Sequence, residues 1–292
     1  MLGGIEAGGT KLVLALAESP TRILRTTHVP TTTPAAARTA IQVFFGDPGG
    51  RPQAIGVGTF GPVRLAADHP ERGQIENTPK PGWSGFDWRA VLTPIVGERA
   101  AIDTDVGAAA LAEGAHGAAR GCRDLAYVTV GTGIGAGIVS GGRLVHGAMH
   151  PEFGHVRMRR IAGDAFAGSC PAHGDCLEGL ASGTAIAQAT GRPAADVPLT
   201  DPAWNRVANA LGEAMALLTL TTMPERIVLG GGVMQRGEAL LERIRRATGD
   251  ALGDYLPDGP TNDLDTFLVL PGLGDRAGIV GALMLAERAL TN

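Results

Sequence analysis

Short apolar blocks that end on glycines set the rhythm of this chain. LGGIEAGG (2–9) followed by TKLVLALAE (10–18) reads as two strands joined by a tight Gly-Gly turn. ILRTTHVPT (23–31) continues as a third strand, and residues 34–46 carry Ala, Ile, Val and Phe at helical spacing. AIGVGTFG (54–61) reads as a buried strand and 62–85 as loop. Residues 88–97 predict a short helix with a proline interruption. RAAIDTD (99–105) is a strand ending on aspartates, and 105–119 an Ala-rich helix opening on the last of them. The pattern then partly restarts: 124–145 is again strand, glycine-rich turn, strand, turn, strand. Helices follow at 180–190 and 203–222, a strand at 224–232, a helix at 234–252, a strand at 266–270 and a closing helix at 277–290. Strands alternating with helices in two similarly opening halves predict an α/β fold of two related domains. The expected division is an N-terminal α/β domain over 1–119 and a C-terminal one over 120–276, with the last helix (277–292) packing back on the first.

Composition narrows the function classes. The chain has 292 residues, enough for a large core, and aromatics are only 4%, so that core is built from Ala, Val, Leu and Ile. A net charge of −4 without a basic cluster gives no footprint for nucleic acid or an acidic membrane surface. No export signal and no bilayer-length apolar run is visible. Three cysteines, an odd count, argue against a disulfide framework and for the cytoplasm.

Three glycine turns share one logic: EAGGTK (6–11), GTGIGAG (131–137) and LGGGVM (229–234). Each follows an apolar strand, where glycines let backbone N–H groups converge on an anion. Lys11 and the hydroxyls of Thr10 and Thr132 add charge and donors. Singly, each turn reads as a plain hairpin; three at strand ends point to a nucleotide. None matches the Gly-x-x-x-x-Gly-Lys-Ser/Thr loop, and the turn at 131–133 leads into a strand, unlike the dinucleotide fingerprint.

Cys170-x-x-His173-x-x-Cys176 puts three metal-type ligands in one loop, and His155 is the candidate fourth. Two thiolates and two imidazoles suit a tetrahedral zinc ion with no open position, hence a structural one. The alternative is two unpaired cysteines among solvent-facing histidines. Cys122 reads as a small core residue, and His28, His69, His116 and His146 as surface or packing residues. Asp103 and Asp105 end a strand and open a helix, where aspartate commonly serves as N-cap. Glu152 and Glu178, beside the metal ligands, are by themselves solvated loop carboxylates.

In order, these motifs resemble the sugar kinase, actin and heat-shock ATPase superfamily. VTVGTGIGAGIVSGGRLVHGAMHPEFGH (128–155) resembles the signature of the ROK sugar kinases. GGIEAGGTK, TDVGAAALAEG, CPAHGDCLEGLASG and LGGGVM resemble its fructokinase branch, over about residues 2–290. The resemblance implies two ribonuclease H-like (actin-like ATPase) domains with a cleft between them. It implies ATP-dependent phosphorylation of a hexose, D-fructose to D-fructose 6-phosphate, with Asp105 as general base. Glu6 would hold Mg²⁺ through water, with Gly8, Gly9, Thr10 and Lys11 addressing phosphates. Thr132 and Gly133 would do so from the second half, and Gly230, Gly231 and Gly232 would admit the adenosine. Glu152, His155 and Glu178 match sugar-contacting positions, and Gly61 and Pro62 lie in a loop bordering the sugar. The loop at 77–83 does too, where Trp83 either covers the pocket or anchors the loop. The family usually carries Asp where this chain has Glu6, and Asn where it has Gly107. Rivals are specificity for glucose, mannose or an N-acyl-hexosamine, and a non-catalytic sugar sensor. A ROK repressor places a DNA-binding segment ahead of the kinase-like part, and here the first strand begins by residue 3. The expected partners are hexose and ATP, with neither nucleic acid nor membrane; a homodimer is compatible with the resemblance.

Overall fold

The computed structural model describes residues 1–47, 50–66, 68–256 and 259–291. The chain divides into two compact units. Unit 1 comprises Met1–Ala112, Leu144–Pro151 and Asp275–Asn292; unit 2 comprises Glu113–Arg143 and Glu152–Gly274. A single junction near residue 120 is therefore too simple. The change of unit falls inside a continuous helix, and the short segment Leu144–Pro151 groups with unit 1.

Unit 1 is built on β1 (Leu2–Ala7), β2 (Lys11–Ser19), β3 (Arg22–Pro30), β4 (Ala54–Thr59) and β5 (Ala100–Thr104), in the sheet order β3-β2-β1-β4-β5. β1 pairs antiparallel with β2 and parallel with β4. Strict alternation on β2 splits its apolar residues between two faces. Leu12, Leu14 and Leu16 join a core with Ile41, Phe45, Trp88 and Leu92, supplied by α1 (Pro34–Gly46) and α2 (Trp88–Val96). Val13, Ala15 and Ala17 join a second core with Ile279, Ala282, Leu283 and Ala286 of the C-terminal helix (Ala277–Thr291). That helix lies so close to β4 that a Cβ on Gly56 would stand 1.9 Å from the Ala282 carbonyl oxygen. Only glycine permits that contact. The last position of the expected helix, Asn292, lies outside the described residues.

Unit 2 repeats the arrangement with β6 (Leu125–Val130), β7 (Ile134–Ser140), β8 (Arg143–Leu144), β9 (Arg226–Gly230) and β10 (Leu268–Val269), ordered β10-β9-β6-β7-β8. β6 pairs antiparallel with β7 and parallel with β9, as β1 does with β2 and β4. Its core joins Val128, Leu229 and Phe267 to Trp204, Leu211 and Met215 of the helix Ala203–Thr222.

The strand expected at 266–270 shrinks to two residues. Asp263 accepts hydrogen bonds from the Asp265 and Thr266 N–H groups and opens a single helical turn, Leu264–Phe267, in its place. No helix among the described residues is long and apolar enough to cross a membrane.

Candidate active site and metal cluster

The β1–β2 connection is the three-residue turn Gly8-Gly9-Thr10. The Gly8 N–H donates to the Lys11 carbonyl at 3.0 Å, and Thr31 pins the turn twice: its N–H donates to the Thr10 carbonyl and its hydroxyl to the Gly8 carbonyl, both at 2.9 Å. Lys80 donates from Nζ to the Gly9 carbonyl at 2.6 Å. The turn exposes Gly9, Thr10 and Lys11. Glu6, just before it on β1, has a buried Oε2 without a hydrogen-bond partner. Burial, then the nearby Asp105 charge, push its carboxyl up to about 7, against the opposing pull of Lys11. A buried carboxylate oxygen without a partner, beside a second acid, is a donor set that a hydrated magnesium ion would satisfy.

Asp105 is the first residue of α3 (Asp105–His116). Capping of that helix falls to neither aspartate alone. The Thr104 hydroxyl accepts the Gly107 N–H at 3.0 Å, the bond an N-cap makes to the third helical residue, while Asp105 Oδ1 accepts the Val106 N–H at 2.9 Å. Asp103 is buried, and its Oδ1 takes the Thr104 N–H at 2.8 Å and lies 3.3 Å from His146 Nε2. That hydrogen bond raises the His146 pKa. The expectation that His146 is a surface or packing residue therefore gives way to a half-buried ion partner of Asp103. Gly107 leaves the room this needs, since a Cβ there would stand 2.6 Å from Asp103 Oδ1.

Gly61 and Pro62 follow β4 and are joined by a cis peptide. The next residue, Val63, donates its N–H to Nε2 of the buried His150 at 3.1 Å. Trp83 is fully buried among Phe60, Phe86 and Trp88, and its Nε1 donates to the Thr32 carbonyl at 3.1 Å. It anchors its loop.

In unit 2 the β6–β7 connection is Gly131-Thr132-Gly133, again three residues. Gly131 and Thr132 offer their carbonyls to the Gly183 N–H (2.7 Å) and the Thr184 hydroxyl (2.8 Å). Glu178 Oε2 accepts the Ile134 N–H at 3.0 Å, tying the metal loop to the end of this turn. Gly230 ends β9, and Gly231 and Gly232 lead into a 3-10 turn.

His155, Cys170, His173 and Cys176 come together, with one ligand atom from each within 4.8 Å of all the others. His155 Nδ1 lies 3.7 Å from both sulfurs, and His173 Nδ1 lies 3.7 Å from Cys170 Sγ. A zinc tetrahedron with S and N ligands has an S···N edge of about 3.6 Å, so the donor set fits that ion. Cys170 and Gly174 exchange two backbone hydrogen bonds, which folds the ligand loop into a knuckle. Burial, first of all, pushes the Cys176 thiol up to about 11, so a nearby cation is what would hold the thiolate form. Because His155 turns Nδ1 toward the sulfurs, its Nε2 faces the other way, 4.0 Å from Glu152 Oε2.

The structure thus groups Glu6, Gly8, Gly9, Thr10, Lys11, Gly61, Pro62 and Asp105 in unit 1. The other candidate nucleotide, sugar and metal residues, Thr132, Gly133, Glu152, His155, Cys170, His173, Cys176, Glu178, Gly230, Gly231 and Gly232, belong to unit 2. Four contacts at these sites are not legible in the sequence: Thr104 as cap, Lys80 on the turn, His146 on Asp103 and His150 on Val63. The first has a signal, a threonine three residues ahead of Gly107; the others join residues far apart in the chain.

Two similar sheets, each opening on a glycine hairpin, define the actin-like ATPase fold seen in solved ROK sugar kinases. A ROK family glucokinase from Streptomyces griseus, solved with glucose and AMPPNP, superposes with a TM-score of 0.77 at 28% identity, covering 98% of this chain and 99% of that one. The chain belongs to the ROK family, whose model matches residues 2–289. It is 39% identical to a fructokinase of Pediococcus pentosaceus (100% of this chain, 99% of the relative). It is 41% identical to a fructokinase of Zymomonas mobilis (98% and 96%).

Proposed function

We propose that the protein is an ATP-dependent hexose kinase that converts D-fructose to D-fructose 6-phosphate. The observation that carries this reading is the placement of Asp105. It opens α3 directly after the capping residue Thr104, one oxygen accepts the Val106 N–H, and its charge stands near enough to Glu6 to raise that residue's pKa. The fructokinase relatives support the choice of sugar.

In the transfer, the sugar hydroxyl oxygen forms a bond to the γ-phosphorus while the bond from that phosphorus to the β-phosphate oxygen breaks, releasing ADP. The hydroxyl proton passes to the Asp105 carboxylate. Gly8, Gly9, Thr10 and Lys11 bind phosphate oxygens from unit 1, and Thr132 and Gly133 from unit 2. Gly230, Gly231 and Gly232 accommodate the adenosine. Glu6 would hold hydrated Mg²⁺, which supplies charge neutralisation to the phosphates. His155, Cys170, His173 and Cys176 would hold zinc, which supplies a fixed dication that sets the His155 tautomer. Glu152, His155 Nε2 and Glu178 then orient fructose hydroxyls, together with the Gly61-Pro62 loop.

A coupled ADP-release assay with MgATP over fructose, glucose, mannose and N-acetylhexosamines tests this. Fructose should give the highest kcat/KM. A higher value for another hexose rejects the sugar assignment, and hexose binding without ADP release identifies a sensor instead.

A further inference from the structure

Phosphoryl transfer asks for cations aimed at the equatorial oxygens of the moving group. The sequence holds 23 arginines and only two lysines, Lys11 and Lys80. Lysine offers an oxygen a compact point charge with three rotatable donors, where arginine offers a planar fork. Both lysines converge on one turn. Lys11 directly follows Gly8-Gly9-Thr10, and Lys80, 71 residues from Gly9 in sequence, reaches back to donate to the Gly9 carbonyl. The loop bearing Lys80 is held independently of that bond: the Lys80 N–H donates to the Thr78 hydroxyl, the Trp83 N–H to the Lys80 carbonyl, and Trp83 itself is locked in the core. The Phe60 ring lies 6.0 Å from Nζ. One of the three ammonium N–H bonds fixes the group on the turn, which leaves two for a ligand.

We propose that Lys80 is a second phosphate-binding cation, which acts with Lys11 on the terminal phosphate of the nucleotide. This rests on the kinase reading above, with the β1–β2 turn as a phosphate site. A purely mechanical pin is the competing role, and Thr31 supplies the control. Its hydroxyl holds the same turn through the Gly8 carbonyl without carrying charge.

The test compares Lys80→Met with Thr31→Val, after thermal unfolding confirms that both fold. Calorimetric titration with AMPPNP and with ADP, both with Mg²⁺, reads the phosphate contact without any sugar. Lys80→Met should weaken AMPPNP at least tenfold and ADP less than threefold. It should lower kcat by roughly 10²-fold with hexose KM within threefold, and Thr31→Val should change each value less than threefold. Equal weakening of both nucleotides, a kcat within threefold of wild type, or matching effects of the two substitutions would each overturn the proposal. If the wild-type protein binds AMPPNP but phosphorylates no hexose, the functional reading fails, and Lys80 is judged on the nucleotide titrations alone.

Discussion

Two three-residue hairpin turns occupy matching positions in matching sheets, and they differ in what surrounds them. Gly8-Gly9-Thr10 is followed by one lysine, pinned by another, and preceded by a buried glutamate. Gly131-Thr132-Gly133 has no charged residue, and a carboxylate, that of Glu178, closes it from the side. The backbone device is the same, because an antiparallel pair closing on glycines leaves N–H groups accessible. The electrostatics assign different labour. Unit 1 gathers two lysines and two acids about its turn, to which the proposed function gives the phosphoryl group and the proton. Unit 2 couples its turn, through Glu178, to the candidate metal loop, to which the proposed function gives the sugar.

The largest expected effect breaks the chemistry of unit 1 alone. Asp105→Asn should retain hexose binding by calorimetry and lower kcat by about 10³-fold, within the usual range for a lost general base. A kcat within tenfold of wild type would remove Asp105 from that role.

A smaller effect concerns the space beside it. A Cβ at Gly107 meets Asp103 Oδ1 at 2.6 Å and Thr104 Oγ1 at 2.8 Å. Gly107→Ala should therefore cost about 1–3 kcal/mol of stability by overpacking. NMR titration should show the His146 pKa falling back toward its ordinary value as the Asp103 bond is disturbed. An unchanged His146 titration would contradict the coupling.

The smallest effect is one of pH. The folded-state pKa of Glu6, about 7, lies above its ordinary 4.5. The folded state therefore holds a proton that the unfolded state has lost across that window, and stability declines as pH rises through it. Glu6→Gln should raise Tm relative to wild type by a few degrees at pH 8 and by less at pH 5. A gain of equal size at both values would show that ionisation of Glu6 is not the cause.

Periodicity made most of this fold legible, because β1, β2, β4, β6 and β7 are buried apolar runs with glycine turns at or near their ends, and the C-terminal helix shows its apolar face in sequence. The strand at 266–270 misled because TFLVL has strand composition, while Asp263 ahead of it caps a helical turn. The cluster of His155, Cys170, His173 and Cys176 was legible because three of them fall within seven residues and all four are metal-type donors. The division into units was less so, since it cuts α3 where no composition changes. Lys80 and His150 were invisible for a different reason. Their partners are a backbone carbonyl and a backbone N–H, 71 and 87 residues away, and neither leaves a mark on sequence spacing.

The division of labour is tested most directly by the steady-state kinetics of Cys176→Ser, with zinc content and thermal unfolding measured on the same sample. Loss of the metal should raise hexose KM by roughly 10- to 100-fold, with ATP KM changed less than threefold and kcat at saturating hexose largely kept. Equal rises in both KM values, or a folded, zinc-free variant with unaltered hexose KM, would contradict a metal loop that shapes the sugar site and takes no part in transfer.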